Sequence, residues 1–96
     1  MSNQCNSVVV NPIRNGNNLN VMVGAQSGTN PAILTWIIVR QQGITRYFYP
    51  DDFNIGGQYV YPGLTQSKLF IPISPGDVKV EVYYSDSNCV ASGGVA

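Results

Sequence analysis

Ninety-six residues, 44% of them hydrophobic, make one domain whose core buries roughly 60–70% of the unfolded surface. Only 10% of the residues are charged, against an ordinary share of about 25%, and the five basic and five acidic side chains cancel. That balance excludes an electrostatic footprint for nucleic acid or an anionic membrane. No apolar run approaches the ~20 residues of a membrane-spanning helix, and the absence of histidine removes the usual general base and argues against a zinc site.

In chain order, Met1–Asn6 has neither the basic region nor the apolar core of a secretory signal. The expectation is a chain made in a cytosol that does not leave by that route. Turn signals then recur at short intervals: Asn15-Gly16, Gly28-Thr29-Asn30-Pro31, Gln42-Gly43, Pro50-Asp51-Asp52, Gly56-Gly57, Pro62-Gly63 and Pro75-Gly76. Between them, β-branched and aromatic residues fill short runs without helical periodicity, the pattern of an all-β sandwich or barrel. The predicted strands are Ser7–Ile13, Leu19–Ala25, Ile33–Gln41, Ile44–Tyr49, Gln58–Tyr61, Lys68–Ser74 and Val78–Tyr84. The last two alternate strictly, with Leu69, Ile71, Ile73, Val78, Val80, Val82 and Tyr84 on the core side. Beyond Asp86 the chain is small and polar, so Val90–Ala96 is expected to be a weak strand or none, leaving a sheet edge to be covered. The domain is single over 1–96, with ends expected to be flexible near 1–6 and 87–96.

Trp36 within Leu34-Thr35-Trp36-Ile37-Ile38, and the strand, Pro-Gly turn and Val/Tyr strand of Leu64–Tyr84, resemble an immunoglobulin-like or fibronectin type III sandwich over Leu19–Asp86. The resemblance implies that Trp36 is a central core aromatic between two sheets. The chain departs from that family in its short or missing last strand. It also lacks the antibody-type disulfide, because Cys5 and Cys89 fall outside the strands that would carry one.

Chemistry is sparsely represented. Lys68 and Lys79 fall at outward, solvated strand positions. Asp51 and Asp52 follow Pro50 in a turn, with a calcium loop including Asn54 as the lesser alternative, and Asp77 is a turn residue. Neither phosphate-loop nor metal-ligand spacing occurs, so no enzyme activity and no cofactor is expected. Cys5 and Cys89 can form an internal bridge, worth about 4–5 kcal/mol in the chain-entropy model, can bridge to a neighbouring subunit, or can remain free.

Two features point to partners. Tyr47, Tyr49, Tyr59 and Tyr61 crowd into a short stretch and can fill the core rim, form a protein interface or stack on sugars. With Leu34, Trp36 and Ile38 facing the core, Ile33, Ile37 and Val39 form an outward apolar row that needs cover from this chain or from a neighbouring subunit. The function predicted is a non-enzymatic structural subunit of a larger assembly: a virion capsid or tail decoration protein, or a self-assembling fibre subunit. It would sit in a virion or extracellular assembly, with copies of itself or other structural subunits as partners. The alternative is a carbohydrate or cell-surface binding module whose tyrosines meet a glycan.

Overall fold

A computed structural model of the chain describes residues 3–4, 8–25, 32–52, 59–84 and 89–96. Strands occupy Asn3–Gln4 (β1), Val8–Asn15 (β2), Asn18–Ala25 (β3), Ala32–Gln41 (β4), Ile44–Phe48 (β5), Tyr59–Val60 (β6), Thr65–Pro72 (β7), Val78–Tyr84 (β8) and Cys89–Val95 (β9), with one 3-10 turn at Pro50–Asp52. The larger sheet runs β1-β9-β8-β4-β5, with β6 also paired to β4, and the smaller runs β2-β3-β7. Every pairing is antiparallel except β1 with β9. The core draws Val10, Leu19, Val21, Val23, Leu69 and Ile71 from the smaller sheet. From the larger sheet it takes Leu34, Ile37, Val39, Val78, Val80, Val82 and Tyr84. The chain is an all-β sandwich.

Turn chemistry sets the hairpins. Gln42 and Gly43, between β4 and β5, both have positive φ (52° and 78°), the mirror-image turn whose twist matches the flanking strands. At the same end of the sandwich, side chains tie the loops together. Arg14 donates from Nε to the Ala96 carbonyl (3.1 Å), from Nη1 to that of Ser74 (3.2 Å) and from Nη2 to that of Gly76. Gln41 Nε2 donates to the Ser74 carbonyl (2.6 Å) and Gln42 Nε2 to that of Pro75 (2.9 Å).

The C-terminal segment is the first correction. It is a full strand, β9, paired with β8 from Val78↔Val95 to Tyr84↔Cys89, so the expected weak end does not leave an open edge there. At Gly93 a Cβ would lie 2.8 Å from the Val10 carbonyl oxygen and 2.9 Å from the Pro12 ring. Glycine is what lets β2 pack directly on β9 and close that side of the sandwich. The other side has β5 and β7 as edges, bridged by Arg46 Nη1 donating to the Pro72 carbonyl at 3.0 Å.

Two β-bulges decide which side chains face inward. In β4, Leu34 is opposite Tyr84 and Trp36 is opposite Tyr83, so Thr35 is an extra residue. In β7, Leu69 is opposite Val21 and Ser67 is opposite Met22, which makes Lys68 the extra residue. An inserted residue reverses the alternation on one side of it. Ile37 and Val39 are therefore buried in the core and not in an outward row, correcting their placement as interface residues. Trp36 is correspondingly not between the sheets. It is half-buried on the outer face, its ring 5.3 Å from that of its cross-strand partner Tyr83.

These positions predict unequal costs. Ile37→Ala should destabilise by about 2–5 kcal/mol, as a large-to-small change in a closed core. Trp36→Ala should leave a folded protein, losing chiefly a partly exposed aromatic pair worth about 0.5–1.5 kcal/mol beyond area burial. Urea unfolding of the two variants checks the order.

Candidate functional site

The outer face of the larger sheet carries the tyrosines. Val60 is fully buried between Tyr59 and Tyr61, so alternation turns both of these outward. Their rings lie 6.5 Å apart at 29°, a stacked pair. Tyr59 is paired with Ile33, which neighbours the core residue Leu34 and is half-buried on the outer side. Further along β4, Tyr47 is opposite Ile38, and Tyr49 follows on the same alternation, just past the end of β5. Tyr47, Tyr49, Tyr59 and Tyr61 are 47 to 54% exposed, which excludes a role as core filling.

Beside these tyrosines lie the half-buried Trp36 of β4 and Tyr83 of β8, so the face is aromatic in its middle; Ile38, on the same side of β4, is covered, at 4% exposed. The indole Nε1 of Trp36 is buried without a hydrogen-bond partner among the described residues, as is Thr35 Oγ1 at the bulge. Further along, the face becomes ionic. Arg40 Nε donates to Glu81 Oε1 at 2.6 Å. That hydrogen bond, and then the carboxylate's charge, holds the guanidinium pKa above its already high ordinary value. Lys79, opposite Arg40, is exposed as expected.

Lys68 is not. It is 0% exposed, the largest fully buried side chain described, and its Nζ donates to the Tyr59 carbonyl at 2.5 Å. The bulge that turns it inward is the physical reason. Beside it in sequence, Gln66 Oε1 is also buried, without a hydrogen-bond partner among the described residues. Loss of hydration pushes the Lys68 pKa below its usual value. Lys68 also ties β7 to the backbone that presents the Tyr59–Tyr61 pair, a link that the regular alternation of its neighbours concealed.

The remaining candidates are quickly placed. Asp52 Oδ2 accepts from the Tyr49 N–H (2.9 Å), and its own N–H donates to the Tyr49 carbonyl (2.8 Å), so Asp52 closes the 3-10 turn. Asn54 of the calcium-loop alternative lies outside the described residues. Among the described residues, no cluster of three or more His, Cys, Asp or Glu could hold a metal. The Cys5–Cys89 bridge rests on Cys5, which is also outside them. What is described is that Asn3 is the Cα partner of Cys89, and Gln4 that of Val90. At the sandwich end closed by Arg14, an open groove of about 530 Å3 is lined by Arg40, Gln41, Gln42, Asp77, Lys79 and the Gly94–Ala96 backbone, among others. Arg40 is already committed to Glu81 there.

The lowered Lys68 pKa gives a pH prediction. A folded-state pKa below the unfolded value of 10.5 means that the unfolded chain binds more protons between the two values. Stability from this group is thus complete above the unfolded pKa and is lost as pH falls through the folded one. Lys68→Met, which keeps the length and apolar stem, should flatten the alkaline part of the stability–pH profile relative to the parent protein. The checking measurement is chemical denaturation of both proteins from neutral to alkaline pH.

With this geometry in place, comparison with protein-family models, curated proteins and solved structures found no match; the functional reading rests on the molecule itself.

Proposed function

We propose that this protein is a non-enzymatic structural subunit of a larger assembly, an immunoglobulin-like domain that decorates a virion capsid or tail or builds a fibre. It would make contact through the outer face of its larger sheet. The observation that carries the reading is the set of half-exposed tyrosines Tyr47, Tyr49, Tyr59 and Tyr61, rimming a middle of half-buried Ile33, Trp36 and Tyr83. Tyrosines offer large, stiff, amphipathic contact area at low entropic cost, which suits protein interfaces. Ile37 and Val39 take no part. The virion or fibre setting follows from the immunoglobulin-like resemblance, an argument by fold analogy.

Face contacts fit better than strand addition. The β7 edge carries a bulge at Lys68 and a proline at Pro72, two devices that blunt an edge against further pairing. A second reading, glycan recognition, is favoured by the Tyr59–Tyr61 pair alone, because neighbouring exposed rings can stack on sugars.

The readings separate in one set of measurements. For the assembly subunit, electron microscopy and sedimentation of native material should show fibres, particles or subunit complexes. Combined Tyr47→Ser and Tyr59→Ser should weaken that association at least about tenfold without unfolding, since both side chains are outside the core. A parent protein that forms no assembly, yet binds a glycan array in a manner lost on Tyr59→Ala and Tyr61→Ala, overturns the subunit reading in favour of the second.

A further inference from the structure

The opposite face, the outer side of β2-β3-β7, carries no charged side chain among the described residues. Cross-strand register places Val9 opposite Gly24, Asn11 opposite Met22, Ile13 opposite Asn20 and Asn15 opposite Asn18. On the other side of β3, Asn20 meets Phe70, Met22 meets Ser67 and Gly24 meets Thr65. These residues alternate with the buried row Leu19, Val21, Val23 and Ala25, so they form the outer surface. Apolar area is exposed along it: Val9 is 60% exposed and Phe70 47%. The two cations on these strands, Arg14 and Lys68, are both turned away. Arg14 is spent on the carbonyls of Ser74, Gly76 and Ala96, and Lys68 is taken into the interior by the bulge. The larger sheet, by contrast, carries Arg40, Lys79 and Glu81 on its outer face.

We infer that this face is a homotypic interface, and that its occupant is the same face of a second copy of the chain. The argument is charge complementarity. A partner bearing ions would have to desolvate them against a surface with no counter-charge, which is costly. An identical face carries none. Its polar groups are also self-complementary, because the amides of Asn11, Asn15, Asn18 and Asn20 each both donate and accept. Across a two-fold axis an amide can pair with its own copy, whereas an ion would meet its own charge. The area limits the dimer to a weak one. Three strands of about eight residues span about 14 by 27 Å from standard strand spacing and rise. That is about 760 Å2 of flat area for two copies, below the ~1,200 Å2 of standard specific interfaces, so the contact is of the small, weak class. This extends the assembly reading to a second face and gives the subunit two opposed contacts.

Sedimentation equilibrium of the full chain, with circular dichroism to confirm folding, tests it. The parent protein should dimerise in the micromolar to sub-millimolar range. Asn20→Asp keeps the side chain's shape and the oxygen that accepts from Ser67 Oγ, while placing like charges on facing surfaces. It should weaken the dimer at least tenfold, with partial recovery at high salt. Ile13→Lys, on the edge strand, should do the same by an independent route. Tyr59→Ser, on the other sheet, should leave this dimer unchanged. A parent protein that stays monomeric at about 1 mM, weaker than any affinity in that range, overturns the inference, as does a dimer indifferent to both Asn20→Asp and Ile13→Lys. A dimer lost only in Tyr59→Ser overturns it too, while leaving the tyrosine-face reading standing.

Discussion

The arrangement of this sandwich depends on two inserted residues, Thr35 in β4 and Lys68 in β7. A strand has a side-chain period of two, so a single extra residue exchanges inside for outside over everything beyond it. In β4 the exchange sends Ile37 and Val39 into the core and leaves Trp36 and Ile38 on the outer face. In β7 it draws a lysine into the interior while Leu69 and Ile71 keep their places against β3. Burying branched aliphatics at about 1.5–3 kcal/mol each drives the first. The second carries the cost of desolvating an amine, offset in part by the hydrogen bond to the Tyr59 carbonyl.

Both outer faces are consequences. The β4 bulge makes the larger sheet's outer face aromatic, because Trp36 joins Tyr83 there and the strand-edge tyrosines Tyr47 and Tyr59 flank it. The β7 bulge makes the smaller sheet's outer face neutral, because the one ammonium group of its strands is withdrawn. A chain with so few charges could have scattered them evenly. Instead one face carries an ion pair and aromatics, the other amides and aliphatics, and surfaces so unlike are suited to different partners. The same segregation explains why chemistry is hard to find here: among the described residues, Arg14, Arg46 and Lys68 are committed to carbonyls, Arg40 and Glu81 to each other, and Asp52 to a turn.

Much of this was legible in the amino-acid sequence. Among the described residues the turns and strand positions follow from Gly, Pro and Asn placement, and β8 matches its expected bounds residue for residue; the turns expected at Gly28-Thr29-Asn30-Pro31 and Gly56-Gly57 lie outside those residues. Facing was legible where alternation was polar on one side, as in Val78–Tyr84, and illegible in Ile33–Val39, where both phases are apolar and either fits. No Gly or Pro marks the bulge at Thr35, and the size of Trp36 misleads by suggesting a core site. Lys68 misleads by its charge: only the register against β3 reveals that it is the inserted residue. The strand β9 was under-read because Gly93 and Gly94 have poor β-propensity. Its pairing is imposed by close approach of β2, a tertiary constraint with no local signature. The density of the tyrosines is a signal in the sequence, but their common face requires knowing that Val60 is core.

The central claim is that the bulges set which residues meet solvent, and methyl NMR with a soluble paramagnetic probe reads this directly. At a concentration where the protein is monomeric, the methyls of Ile37 and Val39 should be protected to the same degree as those of Val21 and Val80. Those of Val9 and Ile44 should relax strongly. Relaxation of Ile37 and Val39 as fast as that of Ile44 would contradict the account, since it would mean that β4 continues its alternation through Thr35 and that both outer faces have been assigned to the wrong residues.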